Sequence, residues 1–248
     1  MNILPRDFYA ARYRFLSRIL ETLPNVKRIS DDKLRITEYI DGKRRFKEYS
    51  SFRPEYKYLS ESEVKRREIF EKIKELESLY LTQFNTSIKE DSQHIRPGGG
   101  GTVSAQFCSE LEHQSCPLEN PNAYVFDGTH FRSRGELMVA SALKDFGLEY
   151  RYDSGIVLNG KTYYTDFAIP LPELGTGWFL EYLGRLDDRK YVNHNSEKIR
   201  DYINSGIYPG RDLLLIPGNE KYTPGMDVIK TLISGFIEVQ CTMYLKKK

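Results

Sequence analysis

Residues 161–184 read KTYYTDFAIPLPELGTGWFLEYLG, two strand-like apolar segments that each carry one carboxylate. Side chains alternate between the two faces of a strand, so Asp166 shares a face with Ala168, and Glu181 shares a face with Phe179. If the loop between the segments makes them neighbours, the two carboxylates project side by side. Such a pair repels unless it shares a proton or a cation, so the stretch predicts a strand pair that holds Mg²⁺ or Mn²⁺. The alternative is that either acid caps a loop or pairs with an arginine.

Glu136 is a third candidate ligand, and it has two interpretations. Ser133 and Glu136 have the spacing of a capping box, which begins a helix over residues 133–146. Taken alone, the cap explains the glutamate. A carboxylate in the first turn of this helix also lies at the helix end nearest the sheet edge, so Glu136 can serve in both ways.

Lys198 lies in a predicted helix over residues 188–205, where it shares a stripe with Tyr191, Asn195 and Tyr202. A lysine on a core-facing stripe needs an anionic neighbour, and the carboxylates of the strand pair would supply one. A lysine that reaches solvent past the two tyrosines explains the pattern about as well.

The second half of the chain predicts an α/β sandwich around a mixed sheet. Apolar periodicity and the turn signal Asn159-Gly160 give a helix over 133–146, strands over 149–157, 161–169 and 177–183, a helix over 188–205, a strand over 212–216 and a helix over 226–238. The final strand–helix–strand succession implies one parallel pair in an otherwise antiparallel sheet.

A smaller α+β region precedes this core. The sequence predicts a helix over 5–22, a hairpin of strands 34–40 and 44–49 around Asp41-Gly42, and a helix over 60–84 that begins at a capping box of Ser60 and Glu63. Residues 85–122 are rich in Asn, Ser, Pro and Gly and show little periodicity. We therefore expect a helix–hairpin–helix region over 1–90, a linker over 91–122 and the α/β domain over 123–248.

Charge is unevenly distributed along the chain. Residues 1–58 hold 14 Lys/Arg and 8 Asp/Glu, a net charge of +6, and the remainder carries −4. Five basic residues lie on or beside the hairpin: Arg35, Lys43, Arg44, Arg45 and Lys47. A basic arm suits a polyanionic partner, since it can hold phosphates while an acidic site holds a metal ion. A solvated surface explains the asymmetry almost as well.

Composition also indicates in which cellular compartment the protein is expected. No run approaches the roughly 18 apolar residues of a membrane helix, and the first residues lack the apolar segment of a signal peptide. Three cysteines cannot all pair, which favours a reducing compartment. The sequence therefore predicts a cytoplasmic protein without membrane contact. The helix over 60–84, with its mixed charges, leaves a homodimer or a protein partner open.

In their order along the chain, Glu136, Asp166 and Glu181 resemble the acidic motif of the PD-(D/E)xK, or restriction-endonuclease-like, nuclease superfamily over roughly residues 120–240. The resemblance implies a restriction-endonuclease-like α/β/α core in which these three acids bind Mg²⁺ or Mn²⁺. The chain is more narrowly similar to uncharacterised bacterial members with an N-terminal basic hairpin and a long helix. That similarity lies in Arg132-Ser133-Arg134-Gly135-Glu136, Tyr164-Thr165-Asp166-Phe167, Glu181-Tyr182-Leu183-Gly184, Asp187-Asp188 and the Lys198/Tyr202/Gly206-Ile207 spacing.

The motif departs from the superfamily pattern at two positions. Thr165 stands where a proline usually precedes the aspartate, and Leu183 stands where the catalytic lysine normally follows the strand acid. The resemblance implies that Lys198, in the following helix, replaces that lysine and orients the attacking water or stabilises charge on the phosphate.

The function implied by the resemblance is metal-dependent hydrolysis of phosphodiester bonds in nucleic acid. DNA is favoured as the substrate, so the expectation is an endodeoxyribonuclease whose basic hairpin holds the phosphate backbone without reading sequence. The alternative, motivated by Leu183, is a catalytically decayed nuclease fold that acts as a nucleic-acid-binding or partner-binding subunit.

Overall fold

The chain has a mixed α/β fold that divides into two compact units, Tyr9–Gln93 and Met1–Phe8 together with His94–Lys248. The computed structural model describes residues 3–117, 124–219 and 221–247. No helix in these ranges is long and apolar enough to cross a membrane.

The first unit contains a three-stranded antiparallel sheet, which one helix precedes and two helices follow along the chain. Its elements are α1 (Arg6–Thr22), β1 (Val26–Ser30), β2 (Lys33–Ile40), β3 (Lys43–Ser50), α2 (Glu55–Phe84) and α3 (Ile88–Gln93). The predicted helix and hairpin are confirmed. Asp41 and Gly42 have φ of 52° and 72°, the positive values that a two-residue hairpin turn requires. The additional strand β1 was not predicted.

Helix α2 begins at Glu55, one and a half turns before the predicted capping box. Pro54 precedes it, and the fixed φ of proline suits a helix start. The prediction that Ser60 caps this helix was therefore wrong. Ser60 and Glu63 instead face the sheet, where Arg28 Nη2 donates to Ser60 Oγ at 2.9 Å and to Glu63 Oε2 at 3.4 Å.

The second unit is built around a four-stranded mixed sheet with the order β10-β9-β8-β7. Its strands are β7 (Arg151–Leu158), β8 (Lys161–Leu171), β9 (Thr176–Leu183) and β10 (Leu213–Pro217), and its main helices are α5 (Arg134–Asp145), α6 (Arg189–Asn204) and α7 (Met226–Tyr244). Strands β7, β8 and β9 pair antiparallel and β10 is parallel to β9, as the sequence predicts. The hairpin turn at Asn159-Gly160 is also confirmed.

Helices cover both faces of this sheet. On one face, Tyr202 of α6 packs in a buried cluster with Ala168 and Phe179. On the other face, Trp178 stacks on Phe236 of α7, with ring centroids 4.7 Å apart. Alternation along β9 sends Phe179 and Glu181 to the α6 face and Trp178 to the α7 face.

The segment predicted as a linker contains structure that belongs to the second unit. Short elements here and at the chain end are β4 (Ile95–Pro97), α4 (Ala105–Glu110), β5 (Tyr124–Phe126), β6 (Thr129–Phe131) and β11 (Leu245–Lys247). Ser104 caps α4, and Cys108 of α4 is fully buried against the sheet. Strand β4 pairs with β11. Elements of three to six residues are too short to show periodicity, and residues 118–122 of the predicted linker lie outside the described residues.

Candidate active site

The site lies where β8 and β9 part. Their pairing runs from Leu171 opposite Thr176 to Phe167 opposite Leu180, and the next positions outward are Asp166 and Glu181. Beyond this point β8 pairs only with β7, and β9 pairs with β10, where Glu181 lies opposite Leu215. The divergence opens a wedge with one carboxylate on each side.

Asp166 closes the end of the shared ladder. Its Oδ2 accepts a hydrogen bond from the backbone N–H of Tyr182 at 2.7 Å. A side-chain carboxylate therefore replaces the strand carbonyl that this N–H would meet if pairing continued. The predicted juxtaposition of Asp166 and Glu181 at one point of the strand pair is confirmed by the register.

Lys198 crosses from α6 into the wedge. Its Nζ donates to Glu181 Oε2 at 2.5 Å and to the backbone carbonyl of Tyr164 at 2.6 Å. The Lys198 and Glu181 side chains are 8% and 3% exposed, so this is a buried ion pair. Tyr202 OH donates to the other oxygen of Glu181 at 2.6 Å. The alternative in which Lys198 reaches solvent is excluded by this geometry.

Glu136 lies in the first turn of α5, and its carboxylate reaches the sheet. Ser133 caps α5, accepting from the backbone N–H of Glu136 at 3.2 Å. The Glu136 carboxylate Oε2 accepts from the backbone N–H of Arg132 at 3.0 Å and from Tyr152 OH at 2.6 Å. Burial raises the pKa of Glu136, and the hydrogen bond from Tyr152 opposes that rise.

The carboxylates share one electrostatic environment. The pKa of Asp166 is raised well above its ordinary value, first by desolvation and then by the charges of Glu181 and, to a smaller extent, Glu136. The ammonium of Lys198 opposes the rise, but does not cancel it. An ionised Asp166 is thus disfavoured in the folded chain unless additional positive charge is present.

Asp153, which was not among the predicted site residues, is a fourth acid beside this group. Asp153 lies on β7 with a φ of 54°, is fully buried, and accepts from Arg132 Nη2 at 2.6 Å. Its Oδ1 is buried without a hydrogen-bond partner in the structure described. Burial raises the pKa of Asp153, and the charges of Lys198 and Glu181 reach it. Its signal was the same as that of Asp166: an aspartate inside a predicted strand.

The five basic residues proposed for nucleic-acid binding all lie on the hairpin of the first unit, but on both of its faces. Register pairs Arg35 with Glu48 and Tyr39 with Arg44, whereas Ile36 pairs with Lys47. Because directly opposed residues share a face, Arg35 and Arg44 lie on one face, and Lys43, Arg45 and Lys47 lie on the other. The five residues do not form one binding surface.

A comparison with protein-family models, with curated proteins and with solved structures found no match to this chain. The arrangement of the side chains is therefore the basis for any functional statement.

The carboxylate oxygens of this site are the type of ligand that a hard divalent cation prefers. Their positions fit a metal site less well than their chemistry does. Among the residues that the structure describes, no three His, Cys, Asp or Glu side chains are placed to hold one metal ion. Mg²⁺, however, is usually held by one or two carboxylates plus water and substrate phosphate, so three protein ligands are not required. Asp166 and Glu181 lie side by side where β8 and β9 part, and burial together with the charge of Glu181 raises the pKa of Asp166; this arrangement fits a divalent cation held between the two carboxylates.

Proposed function

We propose that this protein is a Mg²⁺- or Mn²⁺-dependent nuclease with a restriction-endonuclease-like core of the PD-(D/E)xK type, acting on nucleic acid and, as the favoured substrate, DNA. One observation carries the proposal. Three carboxylates from α5, β8 and β9 share a single electrostatic environment with a buried lysine at the point where two strands part. Sites with strongly perturbed pKa values and a specific charge partner are characteristic of catalytic clefts.

Within this proposal each side chain has a distinct role. Asp166 and Glu181 are the cation ligands, and Glu136 assists through the α5 end of the wedge. A bound divalent cation would polarise the phosphate and lower the pKa of a coordinated water. Lys198 holds its ammonium beside Glu181, where it can stabilise charge on the phosphate or orient water.

The hydrogen bonds of Lys198 make it a plausible substitute for the lysine absent at Leu183. Lys198 extends from α6 and not from β9, yet its Nζ donates directly to Glu181 of β9. The fixed bond to the Tyr164 carbonyl removes rotational freedom from the ammonium. A preorganised donor of this kind stabilises developing charge without reorganisation during the reaction.

A second candidate function, a binding protein with a decayed nuclease core, is favoured by a specific observation. Both oxygens of Glu181 already accept hydrogen bonds, from Lys198 and from Tyr202. The lysine thus supplies part of the positive charge that a metal ion would bring. In this function the protein binds nucleic acid or a protein partner, with α2 as the helix for a partner or a second copy.

Cleavage assays separate the two functions. The full chain is incubated with supercoiled plasmid, single-stranded DNA and RNA, each with Mg²⁺, Mn²⁺ or EDTA. The nuclease proposal expects cleavage that requires the metal and is lost in Asp166→Asn and Glu181→Gln. Asp201→Asn is the matched control, because Asp201 is a buried carboxylate of α6 whose side-chain partners are Tyr163, Asn159 and Lys161, all away from Asp166 and Glu181. Equal cleavage by parent, Asp166→Asn and Glu181→Gln would assign the activity elsewhere, and absence of cleavage with any metal would favour the binding protein.

A further inference from the structure

The sheet of β1, β2 and β3 has one face that α2 covers in part and one face that no helix of the buried cluster covers. Val26, Leu34 and Tyr49 form that cluster with Leu59 of α2 on the first face, whereas Arg45 and Lys47 of the same face are exposed. Their alternate neighbours lie on the opposite side, here called the outer face. The outer face carries Lys27, Lys33, Arg35, Thr37, Tyr39, Arg44, Phe46 and Glu48.

Aromatic rings stand exposed on this outer face. Phe46 is 55% exposed and Tyr39 is 73% exposed. Tyr39 lies opposite Arg44, and Phe46 lies opposite Thr37, so the two rings are diagonal neighbours roughly 7–8 Å apart at the backbone. Two exposed rings side by side on one face offer planar surfaces on which the bases of a ligand can stack.

Guanidinium groups flank the Phe46 ring. The centre of the Arg44 guanidinium lies 4.9 Å from the ring centroid, and that of Arg35 lies 5.3 Å from it. Arg35 is also held by Glu48, with Nη2 to Oε1 at 2.6 Å. Four basic residues against one acid give the outer face a positive charge. The combination of planar rings, planar cations and positive charge suits stacked bases on a phosphate chain.

We propose that the outer face binds single-stranded nucleic acid, with bases stacking on Phe46 and Tyr39 and phosphates contacting Arg44, Lys27 and Lys33. In a duplex the base faces are covered by neighbouring bases, so exposed rings would gain nothing from them. A single strand presents those faces, and stacking tolerates any base. This inference deepens the proposed function by naming its substrate class, but binding to the sheet does not depend on cleavage.

Binding to the full chain in EDTA tests the proposal without any contribution from cleavage. The probes are labelled single strands of about 16 nucleotides, the upper end of single-domain site sizes, as oligothymidylate and oligouridylate, and a duplex of the same length. Fluorescence anisotropy gives the Kd of each. We expect tighter binding of the single strands, and about a tenfold or greater loss for Phe46→Ala and for Tyr39→Ala. Phe46→Trp should restore binding because it keeps a π face.

Two matched controls make the test specific to the outer face. Phe70→Ala removes a partly exposed ring of α2 that also lies under a cation, with Lys74 Nζ 4.5 Å from the centroid, and should leave the Kd unchanged. Arg44→Gln and Arg45→Gln remove equal charge from adjacent residues on opposite faces. Only Arg44→Gln should both weaken binding and reduce its salt dependence.

Three outcomes would overturn the inference, and a fourth separates its failure from failure of the proposed function. Equal affinity for duplex and single strand, with Phe46→Ala binding like the parent, would show that charge alone attracts the polymer. Equal losses for Arg44→Gln and Arg45→Gln would remove the distinction between faces. If light scattering shows a dimer that Phe46→Ala dissociates, with no single-strand binding, the occupant is a second copy of the chain. Cleavage that is absent while single-strand binding persists would refute the nuclease and leave this inference intact.

Discussion

Replacing Lys198 by methionine is the most informative perturbation of the site. The substitution keeps the apolar stem but removes the ammonium, so Glu181 loses its ion pair and the Tyr164 carbonyl loses a donor. Because both side chains of the pair are more than nine-tenths buried, solvent does not screen the stranded charge. Removing one partner of a buried ion pair costs roughly 3–5 kcal/mol of folding stability.

This loss should be directly measurable. At about 2–4 °C per kcal/mol for a chain of this size, Lys198→Met should melt about 6–20 °C below the parent in EDTA. Urea denaturation should show a lower midpoint with an unchanged slope. Lys190→Met is the matched control, since Lys190 is an exposed lysine of the same helix and should change stability by less than about 0.5 kcal/mol.

A double variant identifies the origin of the loss. Glu181→Gln removes the stranded charge, so Lys198→Met/Glu181→Gln should recover much of the stability lost in Lys198→Met alone. A divalent cation should stabilise Lys198→Met more than the parent, because it can neutralise Glu181 in place of the ammonium. Equal melting temperatures for Lys198→Met and Lys190→Met, or a double variant no more stable than Lys198→Met, would show that the buried ion pair is not the origin of the loss.

Three further predictions concern stability in the absence of metal. Asp166→Asn should raise the melting temperature at neutral pH. The pKa of Asp166 is higher in the folded chain than in the unfolded chain, so the parent loses stability as the pH rises from about 3.8 through the pKa of the folded state. Parallel curves of stability against pH for parent and variant would contradict this prediction. Ser133→Ala should lower the free energy of unfolding by about 1 kcal/mol because it removes the N-cap of α5, whereas Ser133→Asp should keep the cap and the stability. Equal denaturation midpoints for parent and Ser133→Ala would contradict this prediction. Gly135→Ala should lower the free energy of unfolding by about 1–3 kcal/mol, since the added Cβ would overlap the Tyr182 ring. The loss should be smaller in a Tyr182→Leu background, and calorimetry that gives additive losses would locate the strain elsewhere.

The sequence by itself determined the main helices and strands of the second unit, and the first helix and the hairpin of the first unit. It did not determine β1 or the short elements, and it placed the start of α2 too late and the end of α7 too early. Hairpins at Asp41-Gly42 and Asn159-Gly160 follow from residues that tolerate positive φ, and the parallel pair of β9 and β10 follows from the connecting helix α6. Alternation along β8 and β9 was enough to bring Asp166 and Glu181 to the same point. These features are local, or they depend on one connection, so pattern and turn chemistry specify them.

Only the tertiary structure decided how the charged side chains are partnered. The ion pair between Lys198 and Glu181 joins residues of different elements, and the sequence left solvent equally open as the destination of the lysine. Asp153, which has a positive φ with no glycine at that position to signal it, acquires Arg132 as its partner only in the folded chain. The two faces of the sheet differ in burial only because α2 covers Leu34 and Tyr49 on one of them. Partners and exposure depend on packing between distant segments, and that is the information that local sequence patterns do not contain.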